Sequence, residues 1–123
     1  MSRPLTPRQQ FAEYVVEAMG VFAPVQARSM FGGFGIFRHG LMFALIVDEQ
    51  LHFKADALSA PDFMALGLQP FSYLKRGKAA TLQYYQAPPE VFDEPAQMAV
   101  WARKAYDCAL RQQKPVRKRP RPS

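Results

Sequence analysis

The chain has 123 residues, one cysteine and a formal net charge of +6 at pH 7. This length suits one domain, the lone thiol Cys108 excludes an intrachain disulfide, and the longest apolar run, residues 41–47, is too short to cross a membrane. Because the N-terminus also lacks the apolar core of a signal peptide, we expect a cytoplasmic protein with no membrane contact.

The first predicted element is a helix that begins at Thr6. Thr6, Pro7 and Gln9 form the pattern of a capping box with proline at the first helical position. Gly20 is the expected end of the helix. Apolar residues recur between these limits at spacings of three and four, which predicts one buried side: Phe11, Val15, Ala18, Met19 and Phe22.

Residues 25–54 lose the helical period and predict an antiparallel meander. Turns are expected at His39-Gly40 and at Asp48-Glu49. Between and around these turns lie three strands, over residues 34–37, 41–47 and 50–54. The strand at 41–47 is apolar on both faces, which favours a central position in the sheet.

A short helix is then predicted between Ser59 and Gly67. It is followed by a hairpin of residues 71–75 and 79–86 around Arg76-Gly77-Lys78. After Asp93, the expected N-cap, a last helix carries four apolar residues on one side, which predicts that its tryptophan and cysteine are buried: Met98, Trp101, Ala105 and Cys108.

Residues 111–123 contain six basic residues and no acidic residue, whereas residues 1–110 contain ten of each. We therefore predict one domain over residues 1–110 and a disordered, basic, proline-rich tail over residues 111–123. Five bases of this tail are the candidate nucleic-acid contacts: Lys114, Arg117, Lys118, Arg119 and Arg121.

This element order predicts the fold class. The order is helix, three or four strands, helix, two strands, helix, written α-β(3-4)-α-β(2)-α. It indicates a two-layer α+β fold in which a mostly antiparallel sheet of five to six strands carries helices largely on one face.

The glycine-rich segment Gly32, Gly33 and Gly35 is the motif that most resembles a ligand-binding site. It opens a strand and lacks the lysine and hydroxyl residue of a P-loop, so a tight turn or close backbone packing is the favoured interpretation. The residues around it resemble the aromatic strand of an RNA-recognition motif, but the other elements of that motif are missing upstream.

No other constellation predicts catalysis. His39 and His52 have no second ligand at a metal-like spacing, and no serine lies in a nucleophile elbow. We therefore predict no enzyme activity, no cofactor and no metal. Tyr84 and Tyr85 are adjacent on a strand, so one of them faces away from the core, where it either contacts a partner or is an incidental surface residue.

Several segments, in order, resemble one family. They are residues 30–37 (Met-Phe-Gly-Gly-Phe-Gly-Ile-Phe), 42–46, 51–56, 71–73, 84–85, 89–91 and 101–105. Over about residues 10–110 the chain is similar to the N-terminal domain of the TfoX/Sxy family of competence regulators. The resemblance implies a fold similar to secretion chaperones, and it makes six positions family-motif or structural residues: Met30, Phe31, Gly32, Gly33, Gly35 and Trp101.

The same resemblance implies a regulatory role. Full-length members carry a second, helical domain and act in bacteria as regulators or coactivators of DNA-uptake genes together with a cyclic-AMP receptor protein. The basic tail stands where that second domain is expected. We therefore expect a non-enzymatic interaction module that contacts another transcription regulator, with weak non-specific nucleic-acid binding by the tail.

Two alternatives stay open at this point. The first is a protein-binding adaptor or chaperone-like homodimer with no DNA role. The second is a small-molecule or enzymatic role, for which the segment from Gly32 to Gly35 is the only indication.

Overall fold

A computed structural model describes residues 5–30 and 32–113, and for residues 74–75 and 79–82 it describes the backbone alone. Phe31, one of the predicted motif residues, lies outside the described residues. So do the five predicted nucleic-acid contacts of the tail: Lys114, Arg117, Lys118, Arg119 and Arg121.

The first helix, α1, spans Pro7–Ala18 and begins with the predicted capping box. The Thr6 hydroxyl accepts a hydrogen bond from the Gln9 N–H at 3.1 Å, and the Gln9 side chain accepts one from the Thr6 N–H at 2.9 Å. The helix ends at Ala18 with Met19 as its C-cap, so the predicted stop, Gly20, directly follows the cap and lies in a 3₁₀ turn at Met19–Val21.

Six strands form one sheet in which every neighbouring pair is antiparallel, as predicted. The strand order is β1-β2-β3-β4-β6-β5, which places the apolar strand β3 inside the sheet. The strands are β1 Gln26–Met30, β2 Gly33–Arg38, β3 Leu41–Val47, β4 Gln50–Lys54, β5 Pro70–Lys75 and β6 Lys78–Gln86.

Three hairpins of this sheet turn through two residues, at His39-Gly40, Asp48-Glu49 and Arg76-Gly77. All six of these residues have positive φ, between 51° and 80°. This is the type I′ geometry, whose twist matches that of the flanking strands. The predicted turns at His39-Gly40 and Asp48-Glu49 are confirmed, whereas the predicted Arg76-Gly77-Lys78 loop is one residue too long, because Lys78 pairs with Lys75 and begins β6.

The remaining helices are α2, Ala60–Met64, and α3, Pro95–Gln112. Glu94 occupies the N-cap position of α3 instead of the predicted Asp93, without a capping hydrogen bond from its side chain, because Pro95 takes the first helical position and holds the preceding residue extended. The helix continues past residue 110, the predicted domain boundary, and therefore includes Arg111.

One face of the sheet packs against the helices. Residues of this face, such as Ile36, Ala44 and Phe53, belong to a single core with residues of α1, α2 and α3. Trp101 lies in this core with its ring centroid 4.9 Å from that of Phe63, and its indole N–H donates to the Gln97 side chain. The predicted burial of Trp101 and Cys108 is confirmed.

No helix in the described part of the chain is long and apolar enough to span a bilayer.

Candidate interaction surface

The face of the sheet opposite the core carries a row of residues that crosses five strands. Cross-strand partners share a face, and the register joins one residue from each of β1, β2, β3, β4 and β6: Arg28, Gly35, Leu45, His52 and Gln86. We call this surface the second face and define it by nine residues: Arg28, Met30, Gly35, Phe37, Met42, Leu45, His52, Phe71 and Tyr73.

Gly35 lies at the centre of a methionine and aromatic cluster on the second face. A Cβ atom at this position would lie 2.7 Å from the Met42 sulfur, 2.8 Å from the Met30 sulfur and 2.9 Å from the Phe37 ring. The Arg28 guanidinium lies 4.7 Å from the centroid of the same ring. The missing side chain of Gly35 therefore lets two flexible thioethers cover the strand.

His52 anchors the other half of the second face. Its side chain is 5% exposed, and its Nδ1 donates to the Gln50 carbonyl at 3.2 Å. Its ring meets Phe71 edge-on at 5.2 Å between centroids, and Phe71 stacks on Tyr73 at 6.1 Å. Burial lowers the pKa of His52, so the neutral imidazole is the favoured form.

Tyr73 is the exposed aromatic residue of this surface, with 37% of its area accessible. Sequence reasoning considered Tyr84 and Tyr85 instead. Tyr85 stacks on Phe63 in the core, and Tyr84 is 6% exposed beneath the Lys54 ammonium. Burial raises the pKa of Tyr84 to about 12. The alternation of Phe71 and Tyr73 along a predicted strand was the signal that would have identified Tyr73.

The three predicted glycines have distinct backbone surroundings. Gly32 has φ of 80°, in the left-handed region that favours glycine. Gly33 faces the backbone carbonyl of Ile46 so closely that a Cβ atom would collide with it. The depression beside these glycines has a volume of about 10 Å³, which is far too small for a nucleotide.

A second polar cluster, which sequence reasoning missed, joins the end of α3 to the loop after β4. Asp56 accepts two hydrogen bonds of 2.9 Å from Arg111 and further bonds from the N–H groups of Leu58 and Ser59. These bonds hold the pKa of Asp56 well below its usual range. Burial raises the pKa of the neighbouring Cys108 thiol to about 11, which makes it a poor nucleophile.

Metal-binding groups are absent from the described residues: no three His, Cys, Asp or Glu side chains there come together in a way that could hold an ion. The Asp56 carboxylate instead joins Arg111 to Leu58 and Ser59, the two residues before α2, which gives the cluster a structural role. The second face is the stronger candidate site.

The fold and this surface define a two-layer α+β domain with an apolar sheet face outside its core. Comparison with known proteins gives the family: the model for the TfoX N-terminal domain matches residues 17–109. The chain belongs to the TfoX N-terminal domain family, as the resemblance in the sequence indicated. The matched region includes five predicted motif residues that the structure describes: Met30, Gly32, Gly33, Gly35 and Trp101.

The chain is also similar to the DNA transformation protein TfoX1 of Aliivibrio fischeri (strain ATCC 700601 / ES114). The two are 30% identical over 80 residues, which is 65% of this chain. The matched region spans 38% of the relative's length.

Proposed function

We propose that this chain is a non-enzymatic regulatory module of bacterial competence, which acts as a coactivator of DNA-uptake genes by binding another transcription regulator through the second face. Membership of the TfoX N-terminal domain family and the similarity to a DNA transformation protein support the regulatory role. The observation that carries the binding role is the methionine and aromatic cluster around Gly35 on the second face, which lies outside the core shared with the helices.

The composition of the second face suits a protein interface. Methionine, aromatic residues and arginine are enriched in the cores of such interfaces. The Met30 and Met42 thioethers are flexible enough to adapt to a partner's shape, while the stacked pair of Phe71 and Tyr73 offers a rigid contact. Arg28, exposed at the rim, would orient the partner by its charge.

The basic tail has a separate role in this proposal. Lys114, Arg117, Lys118, Arg119 and Arg121 would neutralise phosphates of nearby DNA and release counterions. Such contacts are weak and independent of base sequence, so they would hold the complex near DNA without selecting a site.

The test is genetic, in the native bacterium. Deletion of the gene is expected to lower the transcripts of DNA-uptake genes and the frequency of transformation, and the wild-type gene restores both. A second-face variant, Arg28→Ala with Tyr73→Ala, is expected to fail in this rescue although the protein melts normally, because both side chains are exposed.

The matched control is Arg103→Ala with Tyr14→Ala on the helical side of the molecule. Arg103 lies 5.3 Å from the Phe22 ring, much as Arg28 lies against Phe37, and Tyr14 is exposed like Tyr73. The control is expected to restore the transcripts. Unchanged transcripts in the deletion strain would refute the regulatory role, and full rescue by the second-face variant would refute the binding surface.

A further inference from the structure

The hairpin of β5 and β6 extends past the rest of the sheet. Only Tyr84, Tyr85 and Gln86 of β6 pair with β4, and the Ala55 N–H reaches the Gln83 carbonyl just beyond them. The preceding part of β6 pairs with β5 alone. At about 3.3 Å for each residue, residues 78–82 carry this two-stranded ribbon roughly 16 Å past the end of β4.

The ribbon is basic. Residues 63–89 contain three bases and no acid, in a body of residues 1–110 whose total charge is balanced. Arg76 and Lys78 are exposed at the tip, on either side of Gly77. A thin ribbon with cationic side chains at its end presents positive charge well away from the core.

Charge is also separated along the strands. The end of the sheet from which the ribbon projects carries Arg38 at the end of β2 and Lys54 at the end of β4. The opposite end, formed by the β3–β4 turn and the 3₁₀ turn Pro89–Phe92 with its flanks, carries a group of exposed acids: Asp48, Glu49, Glu90, Asp93 and Glu94. The end opposite the ribbon is therefore the more acidic one, with Arg8 as a base beside Asp48 and Glu49.

The last helix ends at the base of the ribbon. The Gln112 side-chain amide lies 3.4 Å from the Gln83 side-chain oxygen, and Arg111 is fastened to Asp56 beside it. The basic tail is therefore attached at the same end of the molecule as Arg76 and Lys78.

We propose that the β5–β6 ribbon binds duplex DNA, with Arg76 and Lys78 on backbone phosphates and the ribbon lying along the major groove. The phosphates supply the complementary charge. The major groove of B-DNA admits a two-stranded ribbon, whereas the major groove of duplex RNA is too narrow for side chains to read. This goes beyond the regulatory proposal, because it assigns a DNA contact to the folded body and is tested on purified protein alone.

The experiment is a salt titration of the affinity of the full chain for a short duplex DNA of random sequence. Each phosphate contact adds about 0.9 to the steepness of the log–log salt dependence. The double variant Arg76→Gln with Lys78→Gln is therefore expected to reduce that slope by about 1.8. The turn residue Gly77 is kept, so the melting temperature is expected to stay unchanged.

The control variant, Arg8→Gln with Arg103→Gln, removes the same charge from exposed positions away from the ribbon. Its slope is expected to equal that of the wild type. A slope unchanged in the ribbon variant, or an equal loss in the control, would overturn the proposal.

A second set of variants, which lacks the basic residues of the tail, distinguishes DNA binding by the ribbon from DNA binding by the tail. When the five tail bases of the full chain are changed to glutamine, salt-dependent DNA binding is expected to persist and then to disappear when Arg76 and Lys78 are also changed. Absence of binding before that last change would assign all DNA contact to the tail. Equal affinity for duplex RNA would rule out the major-groove arrangement.

Discussion

Arg111 donates two hydrogen bonds of 2.9 Å to the two carboxylate oxygens of Asp56, and so fastens the last turn of α3 to the loop between β4 and α2. The same carboxylate accepts the N–H groups of Leu58 and Ser59. Asp56 therefore both binds the end of α3 and accepts backbone N–H groups before α2, whereas Arg111 makes only the first of these contacts.

Asp56→Ala is expected to lower the melting temperature more than Arg111→Ala. The aspartate change leaves backbone N–H groups at the start of α2 without their acceptor, a loss typically worth about 1 kcal/mol. The Arg111 guanidinium is open to solvent, where ion pairs contribute little. Thermal unfolding of the two variants and of Asp56→Asn, which keeps an acceptor oxygen, measures this order. A larger effect of Arg111→Ala would contradict it.

Gly33→Ala is expected to destabilise the fold by about 1–3 kcal/mol, because its methyl group would collide with the Ile46 carbonyl and force the two strands apart. Gly20→Ala is the control, since nothing lies within 4 Å of a Cβ atom there. Gly35→Ala is expected to fall between them, because methionine side chains can move where a backbone cannot. Urea unfolding gives the three values, and equal values would contradict the close-approach interpretation.

Trp101→Ala is expected to cost about 3–5 kcal/mol, the usual range for a large aromatic residue lost from a packed core. The side chain is 9% exposed and packs on Phe63. Val100→Ala, at the exposed neighbouring position, is expected to change stability by at most about 0.5 kcal/mol. In the wild type, Cys108 should react with a thiol reagent only as the protein unfolds; prompt labelling under native conditions would contradict its burial.

Stability is expected to fall as the pH drops below about 6.5, the ordinary pKa of His52. Burial lowers the folded-state pKa, so the unfolded chain takes up a proton first, and the contribution of the neutral imidazole is complete above that pH. His52→Leu should flatten the decline below about pH 6.5. Urea midpoints across this range provide the measurement, and identical slopes in wild type and His52→Leu would count against it.

Glu49→Gly is expected to stabilise the fold. Asp48 and Glu49 both have left-handed φ, 53° and 58°, and the turn lacks the glycine that Gly40 supplies at the matching position of the preceding hairpin. Relief of that strain should exceed the entropic cost of glycine and leave a gain of up to about 1 kcal/mol. Gly40→Ala is the converse change and should lower the melting temperature. A lower melting temperature for Glu49→Gly would refute the argument.

The local elements of this fold follow from the sequence because short-range chemistry determines them. Neighbouring residues determine the capping box at Thr6 and the turns at His39-Gly40 and Arg76-Gly77. The apolar run of β3 identifies it as an inner strand. The start of α3 was misplaced by one residue because Asp93 and Glu94 both precede a proline.

Long-range relationships were not predictable in the same way. Nothing near Asp56 indicates that its partner is Arg111, which is 55 positions away. Strand β1 has no clear alternation of apolar and polar residues, so the sequence predicts either three or four strands before α2. The sequence predicts that one of two adjacent tyrosines is exposed, but it does not show that the Lys54 side chain covers Tyr84.

The strand order also carries a consequence for how the chain folds. The hairpins joining β2 to β3 and β3 to β4 close through two residues each, so their ends meet at little entropic cost. The pairing of β4 with β6 brings Lys54 to Tyr84 and closes a longer connection, which contains α2 and β5. We therefore expect the meander to form early and the β5–β6 ribbon to dock on β4 late, so that the ribbon joins the sheet last and separates from it first.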